Sequence, residues 1–205
     1  TSPAAAGSGA CSGARSKRVE ALLPRVCDLL DEYHALGAAE VADTDLALFL
    51  RSSDAPHRYD GNHVRRVRLP DASRLDELLA EVDRRYAHLP FRAIRLDPLT
   101  APPALEARLL LEGWSCRNEI VLGTDGPIGG RAAEVEIRAV SDEAAWEDLT
   151  RLVGADLGDD ATFQLDELMA MHRRRSAFVW HLAYVGDEAV GAFSERAREG
   201  LALGQ

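Results

Sequence analysis

The sequence predicts an α+β fold (a mixed β-sheet flanked by helices), and three observations carry that reading. Apolar residues recur at helical spacing in several stretches, and these alternate with short runs rich in β-branched and aromatic residues. Gly186 and Asp187 separate two such runs within residues 178–195, which is a hairpin signal. Residues 123–131 contain Gly123, Gly126, Pro127, Gly129 and Gly130, and the strand and helix pattern restarts after them. The expected organisation is a disordered lead-in over residues 1–17, a first unit over 18–122, a linker over 123–132 and a second unit over 133–205.

Composition narrows the functional classes. A chain of 205 residues that is 46% hydrophobic can bury a sizeable core. Its net charge is −10, and no stripe of Lys and Arg is interleaved with aromatics. Nucleic acid and anionic membrane surfaces are therefore not expected partners. No apolar run approaches the length of a membrane span. The first 16 residues are rich in Ala, Gly and Ser and lack the apolar region of a signal peptide. Cys11, Cys27 and Cys116 are far apart and in no metal or redox spacing, so reduced thiols, no metal and a cytoplasmic location are expected. The basic run from His172 to Arg175 reads as the solvated end of a helix, where cations suit the dipole.

The first unit opens with Val19, Leu22, Leu23, Val26, Leu29, Leu30, Tyr33 and Leu36, one apolar stripe of a helix stopped by Gly37. Pro24 lies near its front, so the helix either starts there or begins with a distorted turn. His34 is expected on a solvated flank. Residues 46–50 read as a buried strand. The turn-rich link over 52–62, with His63 after it, holds His57, Tyr59, Asp60 and Asn62, the densest polar cluster in the chain. Asp60, Gly61 and Asn62 are what a turn needs sterically, so a structural role is favoured over a functional one. Residues 63–69 form a strand carrying several Arg. Asp71 is expected to cap a helix over 71–88 whose inward face is Leu75, Leu78, Leu79, Val82 and Tyr86. A strand over 91–96 follows. Thr100 then caps a helix with Pro102 and Pro103 in its first turn and Leu105, Leu109 and Leu110 on its face. Gly113 and Trp114 look like a Schellman end, and residues 116–122 close the unit as a strand.

The second unit begins with an alternating strand over 135–140. Ser141 is the expected N-cap of the next helix, with Asp142 and Glu143 in its first turn and Trp146, Leu149, Leu152 and Val153 buried. Residues 154–160 read as an acidic mobile loop, and Leu165, Leu168, Met169 and His172 mark a second helix. The hairpin then follows. Gly191 inside its second run suggests a bulge or a close backbone approach. A third apolar start at Leu201 stops within a few residues, so the chain reads as cut at this point, with an open and unstable β edge.

These residues suggest a family. The order strand, capped helix, acidic loop, helix and hairpin, with the wording Gly-Asp-Glu-Ala-Val-Gly, resembles the front half of a GNAT-type N-acyltransferase domain. The first unit is similar to the back half of the same fold, and Glu-Ala-Arg-Leu-Leu-Leu-Glu-Gly-Trp over residues 106–114 is similar to its C-terminal helix and Gly-aromatic corner. Two such units around a Gly-rich linker would resemble the tandem acyltransferases. The resemblance implies acetyl-CoA as cofactor and a small-molecule or peptide amine as substrate. It also implies a pyrophosphate turn of the form Arg/Gln-x-x-Gly-x-Gly/Ala at a helix N-terminus. In the first unit that position reads Leu69-Pro-Asp-Ala-Ser-Arg-Leu75, with no Gly, a missing N–H at Pro70 and a carboxylate at Asp71. The first unit is therefore expected not to bind acyl-CoA, and the second unit's turn is expected beyond Gln205.

The family reaction is attack of a free amine on a thioester, which calls for a base near the amine and a donor at the thioester oxygen. Glu195, on the last full strand, is the candidate base or substrate anchor, against the alternative of an exposed strand Glu. Trp180 and Tyr184 alternate to one face of the neighbouring strand and are candidate substrate contacts, core or cleft wall. The acidic residues over 156–160 are a further candidate for attracting a cationic amine. With only about 70 residues in the second unit the core is marginal. The 205-residue chain is itself expected to be inactive, its second half partly unfolded or completed by a partner strand. Two other readings stand beside the enzyme: a non-catalytic binding or dimerisation module, including a possible homodimer, and a plain α+β domain with an accidental likeness.

Overall fold

A computed structural model describes residues 9–99, 102–119, 121, 134–157, 164–198 and 201–204. The fold is α+β, built from five helices and two antiparallel sheets among those residues. Helix α1 (Gly9–Gly37) precedes a three-stranded sheet of β1 (Glu40–Asp43), β2 (Leu48–Arg51) and β3 (His63–Arg65), paired in that order. Helices α2 (Leu75–Tyr86) and α3 (Pro103–Leu111) follow. The second part runs β4 (Glu136–Ala139), α4 (Glu143–Leu157), α5 (Leu165–Arg174), β5 (Val179–Val185), β6 (Glu188–Arg198) and β7 (Leu201–Gly204). Its four strands pair in sequence order.

The first sheet is covered on both faces. Leu75, Leu78, Val82 and Tyr86 lie three or four residues apart on α2, and they cluster with Phe49, Val64 and Val67 in the larger core. The Tyr86 hydroxyl reaches the carbonyls of Leu50 and His63 at 2.8 and 2.9 Å, so its one polar atom is satisfied inside that core. On the opposite face, Leu48 and Leu50 pack with Ala35 and Ala38 at the end of α1. After β3 the chain turns at Arg66, whose φ of 46° is held by ion pairs to Asp31 and Asp28 at 2.7 and 2.6 Å. It then crosses over α2 and returns at Ile94, which bridges Val64 in parallel.

In the second sheet Trp180, Leu182 and Tyr184 point to one face and cluster with Leu149 of α4 and Met169 of α5. The hairpin turns at Gly186, with φ of 62°, as expected for its Gly-Asp pair. Its register slips beside Gly191. Ala183 pairs with Gly191 but Tyr184 pairs with Ala189, leaving Val190 as the extra residue of a bulge.

Several elements differ from the sequence reading. Helix α1 starts at Gly9, so residues 9–17 continue the helix instead of forming a disordered lead-in, and Pro24 sits inside it. Strands β2 and β3 are shorter than expected, β1 was not anticipated, and residues 91–96 contribute only the Ile94 bridge. Residues 115–119 carry no strand. Helix α4 runs on to Leu157, through the start of the expected acidic loop. Its cap is Asp142, which accepts the Ala145 amide at 2.9 Å, in place of Ser141. Thr100, the linker over 123–132 and residues 158–160 lie outside the described residues. The Schellman end is present. Gly113 has φ of 88°, Trp114 N–H donates to Leu109 at 3.0 Å, and Gly113 N–H donates to Leu110 at 3.1 Å.

The two parts are joined by α5 and the C-terminal end of α1. A helix end leaves carbonyls without intrahelical partners and concentrates negative partial charge. Arg174 Nε donates to Gly37 O at 2.9 Å, and Arg175 Nε donates to Tyr33 O at 3.2 Å. The Arg175 guanidinium lies 3.9 Å over the Tyr33 ring. Its Nη1 donates to Nδ1 of His172 at 2.8 Å. Arg175 is 1% exposed and His172 is also buried, so these two are not part of a solvated helix end, whereas Arg173 is exposed in the last turn of α5, as expected. Arg174 and Arg175 serve the dipole of α1. A Cβ built on Gly37 would stand 2.7 Å from Arg175 Nε, so this contact requires glycine.

His34 is likewise buried, at 5% exposed, and not on a solvated flank. It packs edge-on to His63 with ring centroids 4.9 Å apart. Burial holds both rings, and His172, in the neutral form. All three fall below the ordinary imidazole range, His172 to about 3. Each folded-state pKa is lower than the unfolded value near 6.5, so the unfolded chain binds protons first as pH falls. The stability tied to each ring is whole above about pH 6.5 and lost below it by roughly 1.4 kcal/mol per pH unit. We expect urea unfolding to shift to clearly lower denaturant between about pH 7.5 and about pH 5.5, a window above the main carboxylate range. A flat profile would contradict buried neutral histidines. We also expect Gly37→Ala to cost about 1–3 kcal/mol by displacing Arg175, measured by the same titration at pH 7.5.

Candidate functional site

Glu195 lies on β6, directly opposite Val179 of β5. Directly opposed residues share a face, so Glu195 joins Val179, His181 and Phe193 on the side of the sheet away from α4 and α5. Its side chain is 53% exposed. Oε1 lies 3.1 Å from Nε2 of His181. The imidazole is stacked on the Phe193 ring at 4.8 Å and 16°. That geometry has Nε2–H donating to the carboxylate. A carboxylate and an imidazole on an open face can anchor an ammonium group or accept its proton.

The two aromatic candidates lie elsewhere. Trp180 and Tyr184 point to the opposite, buried face. The Trp180 ring packs 4.4 Å from His172, and the Tyr184 hydroxyl donates to Asp148 Oδ2 at 2.8 Å. They form the wall between sheet and helices, and the structure does not bring them to Glu195. His181 was not singled out from the sequence. The signal was present, because His181 and Phe193 sit on alternating positions of the two hairpin arms. Their pairing, however, depends on counting from the turn, and the Val190 bulge shifts that count.

The polar link over residues 52–62 has a structural task. Asn62 Oδ1 accepts the Ser52 amide at 2.8 Å, while its Nδ2 donates to the carbonyls of Ala55 and Arg58 at 2.7 and 2.9 Å. The closed loop then docks on the start of α5. His57 meets Glu167 at 2.7 Å, and Arg58 Nη1 donates to Gln164 at 3.0 Å. His63 Nδ1 bonds Tyr59 O at 2.9 Å. Among the described residues no group of His, Cys, Asp and Glu could hold a metal ion.

The turn before α2 is filled from within. Asp71 Oδ1 accepts the Ser73 amide at 2.7 Å, and the hydrogen bonds from Ser73 hold its carboxyl below the usual range. Asp76 and Glu77 occupy the first turn of α2. An external phosphate would meet three carboxylates and an amide already engaged.

Two substitutions separate these roles. We expect Glu195→Gln to change the unfolding free energy by less than about 1 kcal/mol, because an exposed pair contributes little. Trp180→Ala should cost about 3–5 kcal/mol as a core deletion. Chemical denaturation of both variants measures the contrast, and equal losses would mean that Glu195 is structural.

No known family model matches the chain, and no curated protein matches it. A solved structure described as a functionally unknown conserved protein from Staphylococcus epidermidis ATCC 12228 is similar in fold. Its TM-score is 0.51 at 12% identity, over 82% of this chain and 70% of that one. The likeness extends over both parts of the chain and concerns the fold alone.

Proposed function

We propose that residues 134–204 are the front part of an acetyl-CoA-dependent N-acyltransferase domain of the GNAT type, with residues 18–122 a companion unit that has lost its cofactor turn. The observation that carries this reading is the order strand, helix, helix, hairpin and strand, laid out as one antiparallel sheet β4-β5-β6-β7. The parallel return of Ile94 beside Val64 after α2 supports the companion unit, since it gives the strand–helix–strand crossover where the resemblance places the cofactor. The carboxylates at the head of α2 support the loss of that cofactor.

Within this reading Glu195 accepts the proton of the attacking amine, with His181 holding its carboxylate in place. Bound acetyl-CoA would supply the thioester: as the amine nitrogen bonds to its carbonyl carbon the C–S bond would break, and the proton held by Glu195 would pass to the released thiolate. A well-placed base contributes roughly 10²–10⁴-fold. The acceptor is a small-molecule or peptide amine.

The second reading, a non-catalytic binding or dimerisation module, draws support from the self-filled turn before α2. Calorimetry with acetyl-CoA separates the two. For the natural gene product we expect micromolar binding, and acetyl transfer to a panel of amines that Glu195→Gln lowers at least about 100-fold with binding retained. Absence of any acetyl-CoA binding would leave the scaffold.

A further inference from the structure

The two large cores share no residue among those described: the first is built around Phe49, Val64 and α2, the second around Leu149, Trp180 and Leu182. Between them runs a seam where α5 and the start of β5 meet α1. Leu29 and Tyr33 of α1 form a small apolar cluster there with Phe178. Polar bonds lie beside it: Arg174 to Gly37 O, Arg175 to Tyr33 O, and Arg196 to Glu32 at 2.7 Å. Parting the chain along this seam leaves both cores whole, which is the condition for local opening without global unfolding.

One bond on the seam depends on a proton being absent. A guanidinium can only donate, so Nδ1 of His172, 2.8 Å from Arg175 Nη1, must carry a lone pair. A proton placed on Nδ1 would set donor against donor and cation against cation in a buried site. The charged and titratable groups around the pair are Tyr33 and His34 of α1, His63 of β3, Arg58 and Asp60 of the loop before it, and Arg174. Asp60 is the carboxylate among them, and Arg58 already holds it at 3.1 Å. From β5 the Trp180 ring closes the other side of the imidazole. None of these offers a second positive charge a free partner.

We propose that this seam is an acid-sensitive hinge: when His172 takes a proton, Arg175 lets go of the end of α1 and the two parts separate with their cores intact. The closed seam keeps the ring neutral, and opening returns it to water, where imidazole titrates near about 6.5. The closed form therefore binds fewer protons than the open one. It is whole above about pH 6.5 and weakens as pH falls below that value. One ring raises the open-to-closed ratio about tenfold between about pH 7.5 and about pH 5.5. His34 and His63 hold carbonyls of the Tyr59–Gly61 turn within the first part, so they stay covered when the seam opens. His57 meets Glu167 at the start of α5, where a proton on His57 adds attraction and opposes opening. The proposal does not depend on the transferase reading.

Labelling of buried thiols in the full chain tests it. Cys11, Cys27 and Cys116 are replaced by Ser, and Leu29→Cys then places one thiol under Phe178 on the seam. Val82→Cys and Leu182→Cys place one in each core. The probe is 4,4′-dithiodipyridine, and each rate is divided by that of the same chain in urea at the same pH. We expect the seam thiol to react faster than both core thiols at every pH, and its relative rate to rise about tenfold from about pH 7.5 to about pH 5.5. His172→Gln keeps an acceptor for Arg175 and does not titrate, so it should flatten that rise, whereas His57→Gln should leave it in place. If Leu29→Cys misfolds, Phe178→Cys reads the same seam. If His172→Gln misfolds, the comparison of seam with core thiols still decides. Equal rates at seam and cores would mean global unfolding and overturn the proposal. So would a seam rate that is flat with pH, a rise that survives His172→Gln, or one that His57→Gln abolishes.

Discussion

The C-terminal end of α1 is the point on which the rest of the structure depends. Carbonyls there lack partners within the helix; Arg174 of α5 reaches one of them, Gly37 O, and Arg175, just after α5, reaches Tyr33 O one turn back. A fully buried guanidinium is costly unless its charge is answered. Arg175 has no carboxylate partner among the described residues. It is answered instead by the negative end of α1, by the Tyr33 ring and by the lone pair of His172. Each of these requires something of its neighbours. The ring stack requires Tyr33 to sit beneath the guanidinium, and its close approach to the end of α1 requires Gly37. Acceptance by Nδ1 requires His172 to be neutral. A single buried guanidinium thus fixes a glycine and an aromatic position in α1 and a tautomer in α5.

The same joint explains why the polar residues of the loop after β2 are not scattered over the surface. Asn62 closes the loop upon itself, and the closed loop presents His57 and Arg58 to the start of α5, at the end opposite the arginine pair. Gly61 continues the pattern, for a Cβ there would stand 3.0 Å from Met171 of α5. Packing α5 and the arginine after it against α1 and against the loop therefore selects a glycine at each of the two contacts. Helix α1 also sends Asp31 to Arg65 and Arg66 at the end of the first sheet and Glu32 to Arg196 of the second. One helix in this way carries ion pairs to both sheets.

What was legible in the sequence was what local chemistry determines. The hairpin at Gly186 and the positive-φ Gly113 with Trp114 folded back follow from residues within a few positions of one another, whereas Asp71 caps a 3-10 turn over Ala72–Arg74 and α2 itself starts only at Leu75. The inward stripe of α2 was legible for the same reason. The failures share a cause as well. His34 and Arg175 carry groups that prefer water, and nothing near them in sequence shows that a helix end or a second histidine waits in the fold. The Arg-rich stretch after His63 reads as a long strand by its β-branched residues, yet it leaves the sheet at Arg66, because Asp31 and Asp28 draw that side chain away. Glu195 was found, but its partner His181 was not, since pairing across a bulged hairpin is a tertiary count.

The face that carries Glu195 and His181 is open to solvent, and an open face holds a small ligand poorly because most of the ligand stays in water. The carboxylate alone therefore cannot define an amine site. Something must stand over the sheet, as α2 stands over the first one. Excluding water from the carboxylate in that way would strengthen both an ammonium–carboxylate contact and the pull of Glu195 on an amine proton.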